Sequence, residues 1–533
     1  MNRMLLLTIL LTLSINLQAQ NSVTEIPPAS ASAEQTWWNL LHYTLEISPD
    51  YKTKYLKGTN SIQFKALRSA KVMAIEFQSP MRINLVTWNK RSLTFTKIRD
   101  AYLINFPSDL KAGKIETIDI QFEGTPRESV NPPYDNGWIW SKDLEGRPWM
   151  NVSCQGEGAS IWFPCKGGLY DEPDEGVTFT INVPSDFVAV ANGELQGKRV
   201  NKNGNTAFTW IVKSPINSYN IIPYIGKYVT WKKTYDGEAG KLNVYNWVLD
   251  YNMKKGKQHL QQVDTMLRCF EYWLGKYPFY EDGYKIVEAP QPGMEHQSAV
   301  AYGNGFQNGF KGKDLFGTGW GLKWDFMIVH ESGHEWFGNS ITCNNYGDTW
   351  IHEGFTKYLE TLYTDFVFGT EAGNEYARGT WARIKNDKPI LGTNTTDKYY
   401  KGSAMLHMIR QIVGDSLFRG WLRQMNSEFY HQTINTRQVL ESLNSFMKMD
   451  FTSVFDQYLN STQVPVLEYR YINDVIEYRW AECVDSFSMP VVASFGDKNS
   501  FLIYPTTEWK KMENKFEDFK VSKDFYCKTK LVD

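Results

Sequence analysis

Apolar and polar positions alternate along the first part of the chain, in short runs separated by turn-forming residues. Clear examples are HYTLEISP at 42–49, TIDIQFEG at 117–124 and VTFTINVP at 177–184. A side-chain period of two is typical of half-buried β-strands, and helical periodicity is weak over this region. We therefore predict an N-terminal β-sheet domain over residues 36–240, in a two-sheet or saddle-like arrangement.

The pattern changes twice further along the chain. Apolar residues recur at helical spacing in TMLRCFEYWLGKYPF (265–279), SAMLHMIRQIVG (403–414) and LFRGWLRQMNSEFY (417–430), with a short strand at KIVEAP (285–290). Strand-like runs then return in VPVLEYRYI and VIEYRWAEC. These patterns predict a mixed α/β to mostly helical domain over residues 241–460 and a small β-sandwich-like domain over residues 461–533. The expected fold class is multidomain α+β.

The first twenty residues resemble a secretion signal. Arg3 provides the positive charge, Leu5 to Leu17 form an apolar run, and LQAQ is a small-residue cleavage site. The apolar run is too short for a comfortable membrane span, and no later run is long and apolar enough. We expect cleavage near Gln20, a polar leader over 21–35, and a periplasmic or secreted protein without a membrane span.

Composition narrows the function classes. A chain of 533 residues is too long for one hydrophobic core, and its 42% hydrophobic and 15% aromatic residues indicate packed globular structure. The net charge of −2 provides no electrostatic case for nucleic acid as a partner. Six cysteines are too few for a disulfide scaffold. Pairing of Cys154 with Cys165, or of Cys483 with Cys527, stays open, as does the oligomeric state.

The strongest chemical signal is the segment HESGH. His330 and His334 are four residues apart, so on a helix both imidazoles can reach one metal ion. Glu353, nineteen positions after His334, begins the helical pattern of WIHEGFTKYLE and is the candidate third ligand. Two histidines and one carboxylate leave an open position on a tetrahedral zinc, which is typical of a catalytic site. The alternative is a chance match in a surface helix.

We predict one Zn²⁺ per chain at this site, and a zinc site of this kind indicates a hydrolase. Glu331 follows the first histidine and is the candidate general base for a water molecule at the metal. The chemistry suits hydrolysis of an amide, and esters or epoxides are also possible substrates. Glu335 and His352 flank the ligands, but neither lies at the i, i+4 position, so we assign them to packing or support.

Further motifs in the sequence are similar to those of one particular protein family. HESGHEWFGN followed by WIHEGF resembles the zinc aminopeptidases of peptidase family M1, the group of aminopeptidase N and leukotriene hydrolase. PGMEH at 292–296 is similar to the family's G-x-M-E-N motif, and YYKG at 399–402 to its Y-x-K-G motif. The loop from Gln155 to Cys165, which ends in FPC, is similar to another family segment. The order of domains also agrees. The family's large C-terminal helical domain has no counterpart, so we expect a short form whose cleft is more open or is closed by another subunit.

The resemblance implies a role for each matching residue. Glu295 would bind the free α-ammonium group of a peptide, and Gln155 would help from the β domain. Gly293 and Met294 would pair with the peptide backbone. Tyr399 would donate a hydrogen bond to the oxyanion. The expected partners are therefore peptides with a free N-terminus, and the expected activity is removal of N-terminal residues.

Several positions depart from the family pattern. His296 and His352 stand where asparagine is usual, Pro292 where glycine is usual, and Ser160 where many members have arginine. We expect His296 to be a neutral hydrogen-bonding substitute and His352 not to be a ligand. Two alternatives to an aminopeptidase stay open. One is another zinc hydrolase on the same scaffold, an endopeptidase or an epoxide hydrolase, and the other is an inactive peptide-binding relative.

Overall fold

The computed structural model describes most of the chain. The described residues are 31–168, 171–202, 204–343, 345–473, 475–496, 500–513 and 518–533. The predicted signal peptide and most of the predicted leader lie outside the described residues. Within the described residues, no helix combines the length and apolar character needed to cross a membrane.

Alternating residues at the start of the chain form strands, as predicted. In β1 the side chains of Tyr43, Leu45 and Ile47 are buried, whereas Thr44 and Glu46 are exposed. After the short helix α1 (Ala33–Thr36), the strands in chain order are β1 (Trp38–Asp50), β2 (Tyr55–Ala66), β3 (Ala70–Glu76), β4 (Arg82–Trp88), β5 (Arg91–Ser92), β6 (Thr94–Ile98), β7 (Ala101–Leu110), β8 (Ile115–Gly124), β9 (Gly137–Lys142), β10 (Pro148–Ser153), β11 (Val177–Pro184), β12 (Val188–Val190), β13 (Glu194–Val200), β14 (Asn205–Val212) and β15 (Tyr224–Gly226).

Among the described residues these strands form one large sheet and two smaller ones. The large sheet has the order β13-β14-β11-β1-β2-β8-β4-β5, and the smaller sheets have the orders β12-β15-β10-β9 and β3-β7-β6. Most neighbours are antiparallel, but β1 and β11 are parallel. Side chains of the long loop after β10 belong to the apolar core that these sheets share, so the loop packs against the sheets.

The middle of the chain joins a sheet to a group of helices. The strands are β16 (Tyr228–Gly237), β17 (Gly240–Leu249), β18 (Tyr284–Glu288), β19 (Gly293–Met294), β20 (Val300–Tyr302), β21 (Ile341–Cys343) and β22 (Gln432–Ile434). The helices are α2 (Met253–His259), α3 (Gln262–Leu274), α4 (Phe326–Gly333), α5 (Trp350–Phe368), α6 (Thr370–Thr380), α7 (Asp397–Val413), α8 (Asp415–Glu428), α9 (Thr436–Met447) and α10 (Thr452–Phe455).

The central sheet places β19 at its edge. Its order is β16-β17-β18-β20-β19, and β19 pairs antiparallel with β20 through Gly293 opposite Tyr302 and Met294 opposite Ala301. The strand β16 lies before the predicted boundary at residue 240, yet it pairs with β17 along its length and so belongs to this sheet. Among the described residues, no strand pairs with the outer side of β19.

The end of the chain is again β structure. Its strands are β23 (Val466–Ile472), β24 (Val475–Ala481), β25 (Val491–Phe495), β26 (Phe501–Ile503), β27 (Lys510–Glu513), β28 (Phe519–Val521) and β29 (Lys528–Leu531). In the described residues they form two sheets with the orders β27-β24-β23-β29 and β26-β25-β28. Two small sheets agree with the predicted sandwich-like domain. The cysteine pairs left open by the sequence are free thiols here.

Two apolar cores meet at the central sheet. In β18, Tyr284 and Ile286 belong to the core of the helices and the C-terminal strands, whereas Val287 belongs to the core of the N-terminal strands. Successive residues of a strand point to opposite faces, so one strand serves both cores. Met294 of β19 belongs to the N-terminal core and Tyr302 of β20 to the helical one. The edge at β19 therefore lies where the two domains meet.

Candidate active site

Helix α4 positions the two histidines. The Asp325 carboxylate caps its N-terminus and accepts hydrogen bonds from the backbone N–H groups of Met327 (2.9 Å) and Ile328 (3.3 Å). The helix ends at Gly333, earlier than the pattern of the segment indicates. His334 follows with helical torsion angles (φ −65°, ψ −16°), so its relation to His330 one turn earlier is kept.

His330, His334 and Glu353 come together as predicted. Their ligand atoms all lie within 4.8 Å of one another, and all three residues are buried. The distance from His334 Nε2 to Glu353 Oε2 is 3.5 Å. Ligands about 2.0–2.2 Å from a tetrahedral zinc are roughly 3.3–3.6 Å apart, so the distance between His334 and Glu353 fits zinc.

The second nitrogen of each imidazole is already occupied. His330 Nδ1 lies 2.7 Å from Glu360 Oε1, and His334 Nδ1 lies 2.9 Å from the Phe337 carbonyl oxygen. These bonds place the proton on Nδ1 and leave the Nε2 lone pair for a metal. Burial also lowers the pKa of His330, which favours the neutral imidazole that a metal requires.

Glu360 is a supporting residue that the sequence reasoning missed. It lies on α5, two turns after Glu353, and accepts hydrogen bonds from His330, Lys357 (2.8 Å) and Tyr376 (2.5 Å). Burial alone would raise its pKa, but Lys357 and His330 outweigh burial and lower it, so the carboxylate is charged. The available signal was its position seven residues after Glu353, on the same face of a helix.

Glu331 lies beside this group, next to the edge strand. A methyl group added at Gly293 would come within 2.9 Å of Glu331 Oε1, so the carboxylate closely approaches β19. Burial, with the negative charges of Glu295 and Glu353, raises the pKa of Glu331. A metal cation at the site would act in the opposite direction. The position is that of a base acting between the metal and a chain bound along β19.

Tyr399 approaches the metal group from a third helix. It lies in the first turn of α7, and its hydroxyl group donates a hydrogen bond to Glu353 Oε1 at 2.7 Å. Burial raises its pKa, and Glu353 raises it further, so the hydroxyl keeps its proton. Its neighbour Tyr400 contributes its ring to packing around Lys357.

Glu295 and Gln155 also meet, although 140 positions separate them in the sequence. Gln155 Nε2 donates to Glu295 Oε1 at 2.5 Å, and the Tyr219 hydroxyl group donates to the same oxygen at 3.1 Å. Glu295 is only 5% exposed, and burial raises its pKa. Tyr219 was not identified from the sequence, because nothing in its local pattern separates it from a core tyrosine.

The loop that carries Gln155 is anchored despite the departure at Ser160. Gln78 Nε2 donates to the Ser160 hydroxyl group (3.1 Å) and to the Glu157 carbonyl oxygen (2.9 Å). Arg127 in turn donates to the Gln78 side-chain oxygen at 3.0 Å. Gln78, which follows the end of β3, therefore supports this loop.

The two departing histidines have structural roles. His296 is fully buried, its Nδ1 lies 2.6 Å from the Tyr224 hydroxyl oxygen, and burial lowers its pKa to about 3. It is therefore the neutral hydrogen-bonding group that we expected. His352 Nε2 accepts a hydrogen bond from the Cys343 N–H at 2.9 Å, and burial lowers its pKa to about 3. His352 lies outside the group of metal ligands.

Comparison with protein families identifies both halves of this site. Residues 39–220 match the model of the peptidase M1 N-terminal domain, and residues 323–458 match the model of the peptidase family M1 domain. The first range contains Gln155 and the second contains the metal group and Tyr399.

Similar proteins include hydrolases of several kinds. The chain is 22% identical to leukotriene A-4 hydrolase of Xenopus laevis over 81% of this chain and 71% of that protein. It is 22% identical to endoplasmic reticulum aminopeptidase 1 of Mus musculus over 83% of this chain, and 23% identical to aminopeptidase N of Lactobacillus helveticus over 80%. It spans only 51% of the length of each of these two relatives.

Solved structures show the same fold. A mutant M1 zinc metallopeptidase from Deinococcus radiodurans, bound to a Tyr-Ser-Ala substrate, matches 80% of this chain and 95% of its own with a TM-score of 0.66 and 18% identity. A mutant two-domain M1 zinc metallopeptidase bound to L-tryptophan matches 78% of this chain and 92% of its own, with a TM-score of 0.64 and 19% identity. With both family domains matched and the His-His-Glu group in place, the chain belongs to peptidase family M1, and it is a zinc-dependent hydrolase.

Proposed function

We propose that this hydrolase is an aminopeptidase, which removes residues one at a time from the free N-terminus of a peptide. The observation that carries the proposal is the buried Glu295 carboxylate, held by Gln155 and Tyr219 beside the metal group. A buried carboxylate with an open approach is a site for a cation, and the α-ammonium group is the cation that every free peptide N-terminus carries.

This anchor selects for a free amine. An acetylated N-terminus or an internal peptide bond offers no positive charge, so the Glu295 carboxylate would lie against a neutral group without its ionic partner. The same argument disfavours an endopeptidase, which has to accept internal peptide bonds. With the amine fixed, the first peptide bond is the one presented to the metal group.

The position of Glu331 determines the direction of the bound peptide. The amine lies at Glu295, at the C-terminal end of β19, and the scissile bond lies at Glu331, next to Gly293 at the other end. The peptide therefore runs antiparallel to β19, as an added strand along the free edge. A methyl group at Gly293 would meet Met327 Sδ at 2.4 Å and Glu331 Oε1 at 2.9 Å, so those two side chains would have to shift.

The chain's own residues supply the proton transfers and the hydrogen bond to the oxyanion. His330, His334 and Glu353 would hold a zinc ion, which when bound would polarise the scissile carbonyl group and make water more acidic. Glu331 accepts a proton from the attacking water and delivers it to the nitrogen of the leaving peptide. Tyr399, whose hydroxyl group donates to Glu353 here, would turn that hydrogen bond to the developing oxyanion.

The experiment compares amino-acid 4-nitroanilides with their N-acetylated forms, using wild type and Glu331→Gln protein of measured zinc content. We expect one zinc per chain in both proteins, cleavage of the free-amine substrates only, and a loss on the order of 10²–10⁴-fold in kcat for the variant. Glu375→Gln, which changes an exposed carboxylate on α6, is the matched control.

Each alternative predicts a different result. Equal cleavage of acetylated and free substrates contradicts the aminopeptidase and favours an endopeptidase. Hydrolysis of an epoxide with no cleavage of anilides favours an epoxide hydrolase. Peptide binding without turnover by the zinc-loaded wild type favours a non-catalytic relative, although Glu331 and Tyr399 are both present.

We also propose that the protein is exported, on the basis of residues 1–20 alone. The charged start, apolar run and small-residue cleavage site support this proposal. Expression of the full chain and of a chain that starts at Met with residues 2–20 deleted, followed by fractionation and N-terminal sequencing, tests it. A full chain that stays inside the cell with its first residues intact contradicts export.

A further inference from the structure

A cavity of about 370 Å³ opens beside the amine anchor. It is large enough for an amino-acid side chain, at the lower end of the range of small-ligand pockets. Gln155 and Tyr219, the two partners of Glu295, form part of its wall, and Glu353 forms another part. His352, Asn394 and Lys398 also line it.

The position of this cavity indicates which substrate residue enters it. Its lining touches the amine anchor and the metal group, and it includes no residue of β19 or α4. The cavity therefore branches from the substrate path at a point between the amine and the scissile carbonyl group. The only side chain attached between those two groups is that of the first residue, the residue that the enzyme releases.

The charge inside the cavity comes from Lys398. Among the described residues that line it, the charged side chains are Glu353 and Lys398, because His352 is neutral. Glu353 is committed to the metal. The Lys398 ammonium group lies 3.9 Å from Glu353 Oε1, beyond hydrogen-bonding distance, and its side chain is 19% exposed. This ion pair is long and contains no hydrogen bond, so the Lys398 ammonium group can also pair with a ligand in the cavity.

The neighbours of Lys398 also suit an anion. Asn394 lines the same cavity, and its side-chain amide can donate hydrogen bonds. Lys398 belongs to the first turn of the seventeen-residue helix α7, where the helix dipole favours negative charge.

We infer that this cavity selects peptides whose first residue is acidic, and that Lys398 determines this specificity by pairing with the side-chain carboxylate of glutamate or aspartate. The inference rests on the proposed aminopeptidase function, because it is that function which places the first side chain in the cavity. Lys398 is a specificity-determining residue here and has no part in the proton transfers.

The test compares glutamyl, glutaminyl, leucyl and arginyl 4-nitroanilides with wild type, Lys398→Gln and Lys398→Glu proteins. We expect wild type to prefer glutamyl over glutaminyl substrate by about tenfold or more in kcat/KM. Lys398→Gln should abolish that preference, by lowering kcat/KM for the glutamyl substrate much more than for the glutaminyl substrate. Lys398→Glu should favour the arginyl substrate. Lys388→Gln, at an exposed lysine outside the cavity, is the matched control.

Two results would overturn the inference. One is equal wild-type cleavage of the glutamyl and glutaminyl substrates. The other is a variant that slows all four substrates by the same factor, which is the effect of a structural role through Glu353 or Tyr399. If the leucyl substrate is still cleaved and its cleavage requires Glu331, either result rejects this inference but leaves the proposed aminopeptidase function intact.

A binding measurement separates this inference from the proposed reaction. Calorimetry with L-glutamate and L-glutamine on zinc-loaded Glu331→Gln protein needs no turnover. Tighter binding of L-glutamate, lost in the Glu331→Gln/Lys398→Gln double variant, supports the cavity's selectivity even if no anilide is cleaved. Equal binding of the two amino acids contradicts it.

Discussion

The His330 imidazole is held in place by Glu360, a residue without a metal-binding motif of its own. The Nδ1–H group of His330 donates to Glu360 Oε1 at 2.7 Å, and the buried Lys357 balances the charge of this carboxylate. A fixed imidazole loses little rotational freedom when it binds a metal, and a carboxylate partner raises its basicity. The affinity for zinc therefore depends on residues that never touch zinc.

Removal of the Glu360 charge tests this dependence. We expect Glu360→Gln to weaken zinc binding by about 10–100-fold, because the neutral amide is a poorer acceptor for the His330 N–H group. The measurement is competition for zinc with a chromogenic chelator, together with circular dichroism to confirm the fold. Glu375→Gln is a suitable control, since its carboxylate is exposed on α6. Unchanged zinc affinity in a folded Glu360→Gln protein would show that the hydrogen bond does not position His330.

At the scale of elements, the site depends on how closely strand β19 approaches helix α4. Gly293 is the point of contact: an added methyl group would lie 2.4 Å from Met327 Sδ and 2.9 Å from Glu331 Oε1. The strand has to be this close because the peptide bound on it must present its carbonyl group to the metal and to Glu331. A glycine is the residue that allows both the approach and an unobstructed edge.

We expect Gly293→Ala to lower kcat/KM on the order of 10²-fold, because displacement of Glu331 or the strand by about 1 Å disturbs the reacting geometry. The zinc content should be unchanged, since His330, His334 and Glu353 do not contact Gly293. Steady-state kinetics with a leucyl anilide and metal analysis measure these effects. Gly197→Ala is the control, at a glycine whose added methyl group would meet open space. Equal kinetics of the two variants would contradict the close approach.

At the scale of the whole molecule, the site is shared between two domains. Gln155 comes from the loop after β10 in the N-terminal β domain, while Glu295 follows β19 in the central sheet. The central sheet packs against both apolar cores, so the two domains are held in one arrangement by the burial of that sheet. The N-terminal domain therefore contributes to substrate recognition as well as to stability.

The contribution of the N-terminal domain is tested by Gln155→Ala. We expect kcat/KM for free-amine substrates to fall by about tenfold, mainly through KM, because the variant loses one hydrogen bond that orients Glu295 toward the ammonium group. Thermal unfolding should change little, since Gln155 lies at the cavity wall. The control is Gln121→Ala, at an exposed glutamine of β8 in the same domain. A fall in stability equal to that of a core substitution would assign Gln155 a structural role instead.

Local spacing was enough to predict a large part of this site. His330 and His334 are one helical turn apart, so the helix itself brings them to one face, and the motif containing Glu353 indicated the third ligand. Strand alternation likewise predicted the β domains, because a strand with one buried face must alternate. The M1 motifs indicated Glu295, Gln155 and Tyr399 as members of the same site.

Tertiary structure alone decided the contacts between distant segments. The bonds from Gln155 and Tyr219 to Glu295, the support of His330 by Glu360, and the cavity containing Lys398 join segments with no periodic relation in the sequence. A hydrogen bond or a cavity depends on distances of a few ångströms in three dimensions, and these follow from the packing of both cores on the central sheet. The sequence by itself determined which chemistry this protein carries, and the packing of its domains decided which groups surround the substrate.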